Sequence, residues 1–179
     1  MPNPIPEPWL SFLREIDALV EGETKLHCIG GFVVTVVYGA ARNTSDIDTL
    51  TLVHQPPGLF DQAGIGSRLY EQYGLYLDPV GVATLPENYE DRLVESFSGT
   101  FDRLRLYTLD PYDIALSKLE RNADIDRQDV IHLARTVPFD LEILKQRYHR
   151  ELRVYLGNPE REDLTLKLWI EMLDEALSY

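Results

Sequence analysis

The segment from residue 29 to residue 50 constrains this chain more than any other: Ile-Gly-Gly-Phe-Val-Val-Thr-Val-Val-Tyr-Gly-Ala-Ala-Arg-Asn-Thr-Ser-Asp-Ile-Asp-Thr-Leu. A glycine pair opens a short apolar helix, a polar turn follows, and an Asp-Ile-Asp triplet starts a β-rich run. Alternate side chains of a strand share a face, so Asp46 and Asp48 are expected on one face about 7 Å apart, with Ile47 entering the core. Two carboxylates so placed form a clamp for a divalent cation. At Gly30 and Gly31 no side chain shields the amides, so a phosphate can approach them closely. A helix beginning there aims the positive end of its dipole at the same place.

This segment resembles the nucleotidyltransferase superfamily that includes DNA polymerase β, whose signature is Gly-Gly or Gly-Ser, a spacer, then Asp-x-Asp. The nearest resemblance is to the AbiEii abortive-infection toxins and allied bacterial domains, in which the pattern runs Gly-Gly, an apolar helix, Tyr-Gly, x-x-Arg, x-Ser/Thr, x-Asp-x-Asp. Gly30, Gly31, Tyr38, Gly39, Arg42, Thr44, Asp46 and Asp48 supply each element. Gly31 departs from the serine that many members carry, which removes one hydroxyl ligand for a terminal phosphate. The resemblance implies that Asp46 and Asp48 hold Mg2+ or Mn2+, that a nucleotide triphosphate is the donor, and that attack on its α-phosphate expels pyrophosphate.

A chain of 179 residues is the size of one domain, or of one domain with a helical appendage. It has no run of about 18 apolar residues, and Met-Pro-Asn-Pro-Ile-Pro lacks the basic and apolar regions of a signal peptide. A cytoplasmic protein with no membrane partner is expected. Cys28, the single cysteine, stands in an apolar strand pattern and is expected to be a buried thiol. The formal charge of −13 gives no general attraction for nucleic acid. An RNA contact would need a local basic patch. Lys145, Arg147, Arg150 and Arg153 offer one such run, although a solvated helix face balanced by Glu142 and Glu151 explains it more simply.

Periodicity predicts a helix over residues 8–21 ended by Gly22, a strand over 25–29, a helix over 31–38, and a strand over 46–53 closed by Pro56 and Pro57. It predicts a further helix over 59–73, weakened by Gly64 and Gly66, and strands over 75–80 and 100–108. From Asp110 onward the pattern is helical, over 110–121, 126–136, 139–155 and 160–177, punctuated by Pro111, Pro138 and Pro159. The expected fold is therefore α/β, a nucleotidyltransferase-like mixed sheet flanked by helices. Residues 1–109 would form this core, with a helical C-terminal part, 110–179, packed on it.

Other candidate site residues follow. Arg42 has the fork that matches phosphate oxygens, though it could instead hold an acid in place. Thr44 and Ser45 could face the same cleft or cap the turn, and the two roles can coexist. Tyr76 and Asp78 alternate with Leu75 and Leu77, which puts Asp78 on a polar strand face where the superfamily carries a third catalytic carboxylate; a turn opener before Pro79 is the competing explanation. The AbiEii-like group also carries a helix with an internal Lys, an Arg, and an Asp-x-x-Asp pair, matched by Lys118, Arg121, Asp126 and Asp129. Lys118 and Arg121 share a helix face and could reach a triphosphate. Asp126 and Asp129 also suit an ordinary helix start, so Asp78 is preferred as the third acid. The four histidines have no metal-site spacing.

The resemblance implies a metal-dependent enzyme that moves a nucleotidyl group to a macromolecular acceptor, a tRNA or a protein. Its setting would be a toxin–antitoxin or phage-defence system, with an antitoxin as a possible partner. The alternative is a non-catalytic protein that keeps the fold as a binding or antitoxin-like module.

Overall fold

The computed structural model describes residues 4–51 and 54–178. The chain divides into two compact units, residues 1–82 with 93–108, and residues 83–92 with 109–179.

In the first unit, α1 (Trp9–Leu19) forms because Trp9, Phe12, Leu13 and Ile16 recur at helical spacing and are all buried. It ends before Gly22, where Val20 is already extended. Asp17 leaves this helix to accept hydrogen bonds from the amides of Asp102, Arg103 and Leu104 at 3.0, 2.7 and 2.7 Å. Burial alone would raise its pKa, but these amides and Arg103 lower it on balance. Strand β1 (Thr24–Ile29) leads into α2 (Gly30–Phe32), which continues as a π-helical stretch over Val33–Val37. Then come β2 (Asp46–Leu50), α3 (Leu59–Ala63), α4 (Arg68–Tyr73), β3 (Tyr76–Val80), β4 (Val94–Ser96) and β5 (Leu104–Thr108).

The five strands make one mixed sheet in the order β3-β2-β1-β5-β4, with β1/β5 and β2/β3 parallel and β1/β2 and β4/β5 antiparallel. One face is apolar: Leu26, Cys28, Ile47, Leu77, Leu104 and Leu106 are buried there with Phe12 and Phe32. Burial pushes the Cys28 thiol far up, so it behaves as a packing group.

Two expectations change here. The helix predicted over 59–73 is broken into α3 and α4 because Gly66 adopts φ +76° and Gly64 leaves no room for a Cβ, which would lie 2.3 Å from the Phe60 carbonyl oxygen. Strand β4 was not expected, since three residues give too short a pattern for periodicity to register. Leu52 and Val53, predicted to end the second strand, lie outside the described residues, as do Met1, Pro2 and Asn3 of the proline-rich start.

The second unit is helical: α5 (Pro111–Ser117), α6 (Asp124–Thr136), α7 (Leu141–Arg147) and α8 (Pro159–Leu177), with a π-helical Tyr148–Leu152 and 3-10 turns at Tyr89–Arg92 and Arg153–Tyr155. Asp110 caps α5, its carboxylate accepting from the Asp113 amide at 2.8 Å, and Asn158 caps α8. Leu116, Leu119, Val130, Leu144, Tyr148 and Trp169 are among the residues of its core. Asp113 is fully buried and held by Arg92 at 2.9 Å and Arg147 at 2.9 Å, which ties residues 83–92 to the helices. Three of the four basic residues of the run are held in internal pairs, Lys145 with Glu142, Arg147 with Asp110 and Asp113, and Arg153 with Asp163, while Arg150 is exposed. It is not a free basic patch.

Candidate active site

The sheet register builds the site. Asp48 stands opposite Asp78 across β2 and β3, Asp46 stands opposite Tyr76, and Ile29 at the end of β1 stands opposite Asp48. Ile47 and Leu77 point to the apolar face, so the acids on either side of them share the other, half-buried face. Asp46, Asp48 and Asp78 each offer a carboxylate oxygen, and these oxygens all lie within 4.8 Å of one another. Among the described residues this is the one group of three or more such side chains placed to hold a metal ion. Three oxygen donors so close suit a hard divalent cation such as Mg2+ or Mn2+, and without one they repel.

The glycine pair is bound into the same constellation. Gly30 adopts φ +71°, and a Cβ there would fall 1.9 Å from Asp48 Oδ2, so the carboxylate lies directly over the Gly30 backbone. No residue with a side chain can stand there without moving Asp48. A Cβ at Gly31 would meet Arg42 Nη2 at 2.8 Å and Thr44 Oγ1 at 2.9 Å. Thr44 donates its hydroxyl proton to Asp46 Oδ1 at 2.9 Å, which fixes the first acid of the triplet. Ser45 contributes its carbonyl to the Tyr76 amide at 3.0 Å, extending the β2/β3 ladder, and its side chain is exposed. Thr35, one turn into the helix, donates to the Gly31 carbonyl at 2.9 Å.

Tyr76 is a neighbour of the acids that sequence reasoning left without a role, although the alternation that places Asp78 places Tyr76 on the same face. Burial raises the pKa of its phenol, and Asp46, Asp78 and Asp48 raise it further. Tyr70 packs edge-on against it with ring centroids 5.6 Å apart. A separate cavity of about 630 Å³ in the same unit, lined by residues including Ile5, Leu10, Val37, Val94 and Phe97, contains none of the three acids.

Lys118, Arg121, Asp126 and Asp129 come together in the helical unit. The Lys118 amine lies 2.9 Å from Asp129 and 3.5 Å from Asp126, and all three side chains are buried. Arg121 forks onto Asp126 at 2.7 and 2.5 Å, and Asp126 also accepts the Ala123 amide at 3.0 Å. Burial would raise the pKa of Asp126, but Arg121, the amide and Lys118 together lower it. Asp126 thus opens α6 and anchors two cations at once.

No curated protein and no solved structure matches the chain. A family model described as "Nucleotidyltransferase of unknown function (DUF6036)" matches residues 10–176, which takes in the glycine pair, the acid triplet, Asp78 and the Lys118 cluster. With nearly the whole chain covered, this protein belongs to that nucleotidyltransferase family.

Proposed function

We propose that this protein transfers a nucleotidyl group from a nucleoside triphosphate to a hydroxyl of a macromolecule, a tRNA or a protein. The observation that carries the reading is the conjunction of three carboxylates on neighbouring strands with a glycine pair lying against Asp48 and Arg42. Asp46, Asp48 and Asp78 would hold Mg2+ or Mn2+, which when bound polarises the α-phosphate and lowers the pKa of the attacking hydroxyl.

The remaining work belongs to the chain itself. Thr44 keeps Asp46 oriented, and the amides of Gly30 and Gly31 bind phosphate oxygens beside the Asp48 carboxylate and the Arg42 guanidinium, which take the room left by the missing Cβ atoms. Arg42 adds a planar fork suited to phosphate, and Ser45 borders the same turn. Asp78, on the edge strand, takes the proton as the acceptor oxygen bonds to the α-phosphorus. The bond from that phosphorus to its bridging oxygen breaks, and pyrophosphate leaves. Lys118, with Arg121, enters as the cation that neutralises the departing pyrophosphate; since its amine is bonded to Asp126 and Asp129, that role would cost it those bonds. In this proposal Asp126 and Asp129 hold Lys118 and do not ligate the metal.

The resemblance of the motif to AbiEii-type toxins supports a cytoplasmic toxin of a toxin–antitoxin or phage-defence system, with an antitoxin as partner. Incubating the purified protein with each α-labelled nucleoside triphosphate, Mg2+, and either total tRNA or cell protein tests the proposal. Label should pass to one acceptor class and stop with Asp46→Asn. Consumption of no triphosphate in any combination would refute transfer and favour a binding module.

A further inference from the structure

Tyr89, Tyr112 and Tyr148 commit their hydroxyls within the fold: Tyr148 donates to Asp163 at 2.7 Å, Tyr89 donates to Glu90 at 3.3 Å, and Tyr112 accepts from the Asp140 amide at 2.8 Å. Tyr76 is half-buried as well, yet its hydroxyl forms no hydrogen bond with the described residues. Its ring is nonetheless held in place by Tyr70, which packs against it edge-on with 84° between the ring planes. Across β2 and β3 it stands opposite Asp46, and it precedes Asp78 by two residues on the face those acids share. Paired strands lie about 4.8 Å apart and alternate residues about 7 Å apart, so Tyr76 borders the acid cluster directly. A tyrosine side chain is longer than an aspartate's, and its hydroxyl therefore reaches further from the sheet than the carboxylates do. All three acids lie close enough to act electrostatically on the phenol, Asp46 most strongly. The other hydroxyls nearby are placed differently: Thr44 is bonded to Asp46 at 2.9 Å, and Ser45 alternates with Asp46 and has an exposed side chain.

We propose that Tyr76 is a self-acceptor, a modification site at which the protein places a nucleotidyl group on its own chain. The inference rests on the nucleotidyl-transfer reading and adds to it an acceptor built into the site. In the step, a lone pair of the phenol oxygen forms the new bond to the α-phosphorus. The bond from that phosphorus to the oxygen bridging to the β-phosphate breaks, and its electron pair leaves on pyrophosphate. The phenolic proton passes to the Asp78 carboxylate, two residues along the same strand. A cation bound at the acids reverses the sign of the field that otherwise opposes negative charge on the phenol oxygen. The product is a phosphodiester on the acid-bearing face, where it covers the cluster. Each event therefore closes the site to a further triphosphate, and modification stops at one group per chain.

The test is to incubate the full chain with each α-labelled nucleoside triphosphate and Mn2+, with no other acceptor, and to locate the label by peptide mass spectrometry. Label should appear on Tyr76, approach one group per chain, and form at a rate per chain that does not change with protein concentration. Tyr76→Phe should lose it while keeping a cooperative melt and calorimetric binding of Mn2+ alone. A second readout needs no turnover: N-acetylimidazole should acetylate the Tyr76 hydroxyl in the free protein, and Mn2+ with an α,β-methylene triphosphate, which cannot transfer its nucleotidyl group, should protect it. Label on Thr44, Ser45 or any other residue would overturn the inference, as would label that survives Tyr76→Phe or a rate per chain that rises with concentration. Acetylation of Tyr76 that Mn2+ and the analogue leave unchanged would overturn it independently of turnover. If an added tRNA or protein is labelled while Tyr76 stays unmodified, this inference fails alone. If Mn2+ does not bind and neither the chain nor any added acceptor takes label, the transfer reading fails with it.

Discussion

Gly30→Ala separates backbone strain from site chemistry. At φ +71° an alanine costs about 1–2 kcal/mol relative to a right-handed conformation. Its Cβ would also fall 1.9 Å from Asp48 Oδ2, so the carboxylate must swing to a poorer rotamer, a further cost of about 0.5–1.5 kcal/mol. The sum, roughly 1.5–3.5 kcal/mol, corresponds to a fall in Tm of about 3–14 °C for a chain of this size. Gly66→Ala is the control: φ is +76°, yet no atom lies within 4 Å of the added Cβ, so only the backbone term applies. Differential scanning fluorimetry with and without millimolar Mn2+ reads both effects. Gly66→Ala should keep the Mn2+-induced rise in Tm, by the linkage between binding and stability, and Gly30→Ala should lose most of it. An unchanged Mn2+ response in Gly30→Ala would refute the claim that the glycine exists to let Asp48 into the site.

Asp46→Asn, Asp48→Asn and Asp78→Asn should each raise the metal-free stability slightly, by about 1 kcal/mol or less, and Tm with it, because three carboxylates whose oxygens lie within 4.8 Å repel one another. Each should also abolish the Mn2+ response in the same melts, and a drop in metal-free Tm would count against a cluster built for a cation. Lys118→Met leaves Asp129 and part of Asp126 buried without their cation, so urea unfolding should show a loss of about 3–5 kcal/mol; a near-neutral result would mean that the amine is not held there. Asp163 is held at about 2 by the Arg153 fork and the Tyr148 hydroxyl. A folded pKa below the unfolded value of about 4 gives stability that is complete above pH 4 and lost as pH falls from about 4 to 2. Acid titration followed by circular dichroism should therefore be shallower over that window for Asp163→Asn than for wild type, and identical curves would refute the assignment.

What was legible in the sequence was whatever depends on near neighbours. Asp46 and Asp48 share a face because a strand has period two, and Asp78 joins them because Leu77 beside it is apolar. Gly30 was legible as a place where no side chain shields the amides, but its left-handed φ and the Asp48 carboxylate over it come from the fold. The split at Gly64 and Gly66 was visible as weakness without being decided, since two glycines can also sit inside a helix. What stayed hidden depends on contacts distant in sequence. The pressing of Arg42 against Gly31 requires the turn over residues 38–45 to fold back on the helix start. The grouping of residues 83–92 with the helices rests on Arg92 reaching Asp113 and Glu151, 21 and 59 positions away. The basic run from Lys145 to Arg153 looked available because its acidic partners at Asp110, Asp113 and Asp163 belong to other elements.

In the proposed function Asp46, Asp48 and Asp78 form a metal centre that serves a nucleoside triphosphate. Isothermal titration of each nucleoside triphosphate into the protein, with and without Mg2+ and at a concentration too low for turnover to contribute heat, tests it most directly. Metal-dependent binding of at least one triphosphate to the wild type is expected, lost in Asp46→Asn and in Asp48→Asn while their melting curves remain cooperative. Binding that ignores the metal and survives both substitutions, or no binding of any triphosphate at millimolar Mg2+, would contradict it.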